Sequence, residues 1–238
     1  MKKILVVSVM VLGLVTLSPS AHAIIPGIPG LEDMGIEVRA GLEHASRDWE
    51  RPGFKGESTT LGLFAEPTFE VMEGLDAYLK LGMASIEFKS AGVTFDGGMD
   101  LGWGLGVKYT MPLDGLGLPG MGIIEGMPFG EALEVGAGFE YIALSSDYRA
   151  VRGFPAGSLK IRGWRLSLFA SEDMGMFVPY IGLRYSDMEL KRAAVRYDAA
   201  DNFGIFLGAD IPMDFANINV EIGFLDETSF KVGASFAF

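Results

Sequence analysis

The sequence predicts an all-β protein, an antiparallel transmembrane β-barrel of ten strands, with eight as the alternative count. Three observations predict it. Apolar side chains recur at every second position in stretch after stretch, which is the period of a strand with one face against an apolar phase. The opposite face of those stretches carries glycine and charge. No stretch after the leader offers the roughly eighteen continuous apolar residues that a helical span requires. In lipid the backbone must satisfy its own hydrogen bonds, so strands that span must close into a barrel.

The chain of 238 residues opens with Met1-Lys2-Lys3, then an apolar run from Ile4 to Val15, Pro19 and the small triplet Ala21-His22-Ala23. A basic start, a short apolar run and a small-residue site define a secretory signal peptide over 1–23. Residues 24–34 are expected as a periplasmic lead-in, and 35–238 as the barrel.

The strands follow in order. Ile36, Val38, Ala40 and Leu42 alternate with Glu37, Arg39, Gly41 and Glu43 over 35–45. Leu61, Leu63 and Ala65 make a short stripe over 58–67, expected to end at Pro67 because proline cannot donate to a ladder. Leu75 to Met83 alternate over 74–87, and Met99 to Met111 give the longest run, over 98–111. That run contains Gly102, Gly104 and Gly106, which a helix would not tolerate well. Leu133 to Tyr141 lie over 132–145. Over 157–170 the apolar parity changes around Gly163, from Leu159 and Ile161 to Trp164, Leu166 and Leu168. This predicts a bulge, or a strand leaving the membrane there. Phe177 to Tyr185 follow over 175–190, with Pro179 expected near the strand start. Phe203 to Ile211, Ile218 to Phe224 and Phe230 to Phe238 complete the set over 202–212, 216–225 and 229–238.

Short links at 68–73, 171–174 and 213–215 alternate with polar links at 46–57, 88–97, 146–156 and 191–201, as the two sides of a transmembrane barrel do. The glycine-rich link 112–131 is unusually long and the link 226–228 unusually short. A soluble barrel would alternate as well, with its apolar face inward. The continuous apolar face and the mixed glycine and charge opposite favour the lipid-facing arrangement. The lumen face then gathers Glu37, Arg39, Glu43, Glu66, Asp76, Lys80, Asp100, Lys108, Glu134, Glu140, Arg165, Arg184, Asp210, Glu221 and Lys231. Charges of both signs there can pair across the interior. Lumen glycines leave space that Phe64, Tyr78 and Tyr180 refill in part. Trp49, Phe54, Tyr109, Tyr141, Trp164 and Tyr185 are candidates for the interfacial girdle.

Composition excludes several classes. There is no cysteine, so lipid anchoring, disulfides and thiolate metal sites are closed. Removing Lys2 and Lys3 leaves 17 basic against 31 acidic residues, a net charge of −14, and no nucleic acid is expected as partner. His44 is the one histidine after the leader, so no metal and no cofactor are expected. Loop acids Asp187, Glu189, Asp198 and Asp201 lack calcium-loop spacing. His44 and Ser46, with Glu43 or Asp48 near, offer a nucleophile pair; a girdle histidine is the simpler reading.

The signal peptide, the terminal strand Phe230-Lys231-Val232-Gly233-Ala234-Ser235-Phe236-Ala237-Phe238 and the segment Phe177-Val178-Pro179-Tyr180-Ile181-Gly182-Leu183-Arg184-Tyr185 resemble the small outer-membrane β-barrel proteins of Gram-negative bacteria, the opacity and porin-like group. The resemblance implies a multi-pass protein of the cell outer membrane. It implies contact with outer-membrane lipid and lipopolysaccharide. It implies recognition of Phe230, Val232, Phe236 and Phe238 by the barrel-assembly machinery during insertion. A monomer with a structural or surface-interaction role, and no enzyme, is the first expectation. A narrow channel for small solutes or cations is the second, and a lipid-modifying enzyme at His44 the third.

Overall fold

A computed structural model describes residues 36–113, 133–151 and 153–237. The expected signal peptide, the expected lead-in 24–34 and most of the link 112–131 lie outside these residues. Twelve strands are present among them: β1 Ile36–Arg51, β2 Phe54–Met72, β3 Leu75–Ser90, β4 Val93–Asp96, β5 Asp100–Pro112, β6 Leu133–Tyr148, β7 Gly157–Glu172, β8 Val178–Arg192, β9 Val195–Ala199, β10 Phe203–Pro212, β11 Asn217–Phe224 and β12 Thr228–Ala237. Ten of them pair with their neighbours around a full circle, and β1 closes on β12 from Glu37↔Ala237 to Ser46↔Thr228. These are the ten expected strands. β4 and β9 are additions, hairpin partners of β3 and β8.

Within the lower part of the barrel the alternation reads as expected. Leu81, Leu101, Leu105, Leu168, Ile181 and Leu183 are exposed on the outside, a belt that lipid covers. Lumen-facing Lys80 and Arg184 are buried.

The upper part differs from expectation. A spanning strand needs about 9–11 residues, yet β1, β3, β6 and β7 run for 16 each and β2 for 19. The links 46–57, 88–97 and 191–201, expected as loops, are therefore largely strand. The β1–β2 ladder continues to Arg51↔Phe54 around a turn at Pro52-Gly53, where Gly53 takes φ +77°. The side-chain parity persists along these extensions while its chemistry inverts. Ile86, Phe88, Phe95, Ile142, Leu159, Ile161, Met188, Leu190 and Tyr197 face inward and form one buried apolar cluster with Trp49. Lys160, Arg162, Asp187 and Glu189 lie on the other face of β7 and β8. Outside the belt the surroundings are water, so the apolar face turns inward.

This explains the parity change at Gly163. The β6–β7 ladder runs unbroken from Leu133↔Glu172 to Tyr148↔Gly157, with no bulge; the strand leaves the membrane and exchanges one apolar surrounding for another. Trp49, a girdle candidate, is correspondingly 1% exposed inside the cluster, its indole N–H donating to Ser58 Oγ at 2.7 Å. A further correction concerns a strand end. β2 passes through Pro67 to Met72, and its ladder with β3 skips Glu66 and Pro67, where the missing donor would sit. Pro179, as expected, is the second residue of β8.

β10, β11 and β12, at 10, 8 and 10 residues, stop at the belt. Above them β9 crosses to pair with β1 through Trp49↔Ala199 and Glu50↔Asp198. The extension thus closes on itself without β10–β12.

Candidate functional site

The interior is the site, and glycine shapes its wall. Six lumen glycines each lie directly opposite an aromatic residue of the adjacent strand: Gly82 opposite Phe64, Gly106 opposite Tyr78, Gly136 opposite Phe169, Gly157 opposite Tyr148, Gly182 opposite Phe206 and Gly208 opposite Tyr180. Each ring lies where that glycine's Cβ would be. A ring folded over a strand glycine covers bare backbone and holds the register. The lumen glycines therefore make room for rings.

Between the rings runs a lattice of ion pairs. Lys80 on β3 reaches Glu43 on β1, Glu66 on β2 at 3.8 Å and Glu140 on β6 at 3.5 Å. Arg165 on β7 joins Glu140 at 3.5 Å to Glu227 at 2.9 Å. Arg47 on β1 holds Glu227 at 2.9 Å and Asp226 at 3.0 Å. Arg184 on β8 grips Asp226 with Nε at 3.1 Å and Nη2 at 2.9 Å, a forked contact that fixes geometry as well as charge. Ser186 Oγ donates to Asp226 Oδ2 at 2.9 Å and accepts from Arg47 at 3.0 Å. Arg184 also lies 4.0 Å from Glu221, which pairs with Lys231 at 3.0 Å. Glu221 further accepts from Tyr180 at 3.4 Å. Five cations meet six carboxylates in this lattice, so the charges nearly cancel.

Of the expected lumen charges, Glu66, Lys80, Glu140, Arg165, Arg184, Glu221 and Lys231 are in the lattice, with Glu43. Asp210 sits below it, accepting from Asn219 at 2.8 Å. Arg39 and Glu37 form a separate pair at 3.9 Å. Asp100 lies at the upper rim, where its carboxylate accepts the Asp147 N–H at 2.7 Å. Asp76 and Glu134 are placed toward the lower rim, and Lys108 lies 5.2 Å from the centre of the Phe169 ring. Phe230, Val232 and Phe236 share the outward parity of β12, with Phe230 exposed; Phe238 lies outside the described residues.

Sequence reading missed Arg47, Ser186, Asp226 and Glu227. Arg47 shares the odd parity of Glu37, Arg39 and Glu43, so a longer first strand would have exposed it. The two acids occupy the short turn between β11 and β12, which folds into the lumen and leaves them 2% and 4% exposed. Leu225 before them takes φ +78°, a left-handed conformation that costs a branched side chain about 1–3 kcal/mol. The anchoring of the next two residues holds it there.

His44 is exposed on the outer face, opposite Leu61 and Phe230. Ser46 Oγ donates to Glu57 at 2.9 Å, and no hydrogen bond joins it to His44 among the described residues. Glu189 is engaged by Arg162, by Arg196 at 3.0 Å and by Lys191 at 3.1 Å, and Arg196 also holds Asp198 at 2.9 Å. No cluster of metal-ligating side chains occurs among the described residues.

An apolar belt around a closed antiparallel sheet with an ion-paired interior defines a multi-pass β-barrel of the outer membrane. Solved outer-membrane barrels are similar to the chain. The translocator domain of the autotransporter NalP from Neisseria meningitidis is similar at a TM-score of 0.46 and 13% identity, covering 86% of this chain and 88% of that one. An outer membrane channel from Pseudomonas putida F1 gives 0.44 and 12%, covering 86% and 96%. The outer membrane protein OprG from Pseudomonas aeruginosa gives 0.38 and 11%, covering 86% and 96%. No protein-family profile matches the chain, and no curated protein matches it.

Proposed function

We propose that the chain is a sealed outer-membrane barrel with a structural or surface-interaction role, without enzymatic activity and without a conducting path in its resting state. One observation carries this reading: ion pairs link the lumen wall from β2 through β3, β6, β7, β1 and β8 to β12, and an apolar cluster closes the barrel above them. The cavity beside Arg47, Arg165 and Glu227 measures about 50 Å³. Partners on this reading are outer-membrane lipid and lipopolysaccharide around the belt, and the assembly machinery during insertion, with the barrel acting as a monomer. The extension above the belt supplies a surface. An open cavity of about 450 Å³ lies there, lined in part by Asp48, Glu50, Lys55, Glu57, Lys89 and Asp201.

The test is single-channel recording on the purified barrel in planar bilayers. The wild-type chain is expected to give no discrete steps; reproducible ion-selective steps would overturn the sealed reading.

A further inference from the structure

Beside the lattice, one short stretch of the barrel wall is closed by side chains and not by a ladder, and this stretch is the window. Above it, residues 199–203 cross from β1 to β8. Ala199 pairs with Trp49, the Ala200 N–H donates to Asp48 O at 3.0 Å, the Ser186 N–H donates to Asn202 O at 2.7 Å, and Phe203 pairs with Tyr185. Below it, the β1–β12 ladder ends at Ser46↔Thr228 and the β10–β11 ladder at Ile205↔Phe224. Among the described residues no ladder pair or backbone hydrogen bond joins 200–202 to the turn 225–227. The side chains of Asp226 and Glu227 seal this gap from within, while Leu225 is 65% exposed outside it.

We infer that this window is a lateral portal for small anions, latched shut by the carboxylates of the β11–β12 turn. The inference rests on the sealed reading of the resting barrel. The apolar cluster blocks the axial route, but the window opens beneath that cluster. The latch also sets the ion preference. Arg47 draws both of its ion pairs from Asp226 and Glu227. With those two carboxylates withdrawn, Arg165 keeps, among the described residues, only Glu140, which Lys80 shares. Arg184 likewise keeps, among the described residues, only Glu221, which Lys231 shares. Three guanidinium groups with a shortage of counter-charge then line the opening, and such a ring admits anions. Among the described residues one buried lattice nitrogen, Arg165 Nε, lacks a hydrogen-bond partner, and the left-handed Leu225 stores strain in the turn that would move.

The chain has no cysteine, so one introduced thiol reports alone. Ser229 is 5% exposed directly behind the turn, and its Oγ lies where a Cβ on Gly223, beside Arg184, would be. In the folded Ser229→Cys protein a negatively charged thiol reagent should react slowly. Adding Asp226→Asn with Glu227→Gln should speed labelling by roughly a hundredfold, as expected when buried charges lose their partners, and should produce anion-selective conductance. Heat-modifiable gel mobility identifies the folded fraction. Glu227→Gln alone leaves Asp226 on Arg47 and Arg184 and should give an intermediate rate. An unchanged rate in either folded background, or cation-selective steps in the double variant, would overturn the portal. Discrete steps from the wild-type barrel would instead overturn the sealed reading.

Discussion

Single residues decide how closely the lumen wall can be built. Gly106 lies under the Tyr78 ring, and a Cβ there would meet Phe139 O at 2.6 Å. A ring can swing away, whereas a ladder carbonyl cannot. Gly106→Val should therefore lower stability by about 1–3 kcal/mol, read as a lower temperature for the heat-modifiable gel shift; an unchanged temperature would count against the ring-over-glycine wall. Glu189, above the belt, carries a pH dependence. Burial alone raises its proton affinity, but hydrogen bonds from Lys191 and Arg162 and the charge of Arg196 outweigh that and hold the carboxyl below the usual glutamate range. A group that binds protons less readily folded than unfolded stabilises the fold fully above its unfolded pKa, and the contribution fades as pH falls through the folded value. The extension should lose stability at the acid end of that range, and Glu189→Gln should flatten this limb of the melting profile. An identical acid limb in the variant would remove Glu189 as its source.

At the scale of elements, parity is the constant and its chemical meaning changes with height. Leu105 on β5 is 46% exposed in the belt, whereas Leu159 on β7 is fully buried in the upper cluster. Leu105→Arg should cost about 2–4 kcal/mol of barrel stability in lipid. Leu159→Ala should cost a similar 2–5 kcal/mol through a cavity in the apolar cluster, and should do so in micelle and bilayer alike. Urea titrations in both media separate the two; a Leu105→Arg penalty independent of the surrounding lipid would contradict the belt. The ten strands were legible because lipid imposes one rule on every strand that crosses it, so Met99 to Met111 and Phe203 to Ile211 announce themselves. Strand ends were less legible. Ile86, Phe88, Leu159 and Ile161 obey the opposite rule on the same parity, and a reading that expects one rule takes the reversal for a loop or a bulge. Arg47 was lost for that reason. Asp226 and Glu227 were lost for another: in a three-residue turn the period of two no longer says where a side chain points.

For the whole molecule, two environments in series give one continuous sheet two kinds of core. In the membrane the interior is ionic and aromatic; above it the interior is apolar. The three tryptophans sample both. Trp103 is 39% exposed on the belt, tilted against Tyr141 at 5.5 Å between ring centres. Trp164 stands at the top of the belt beside Tyr185 at 5.6 Å. Trp49 is enclosed by the apolar cluster above. The central claim is tested most directly by tryptophan fluorescence of single-tryptophan variants in bilayers with brominated acyl chains. Emission from Trp103 should be strongly quenched by the bromines and that from Trp49 by neither bromine nor aqueous iodide. Iodide quenching of Trp103 together with bromine quenching of Trp49 would turn the barrel inside out and contradict the account.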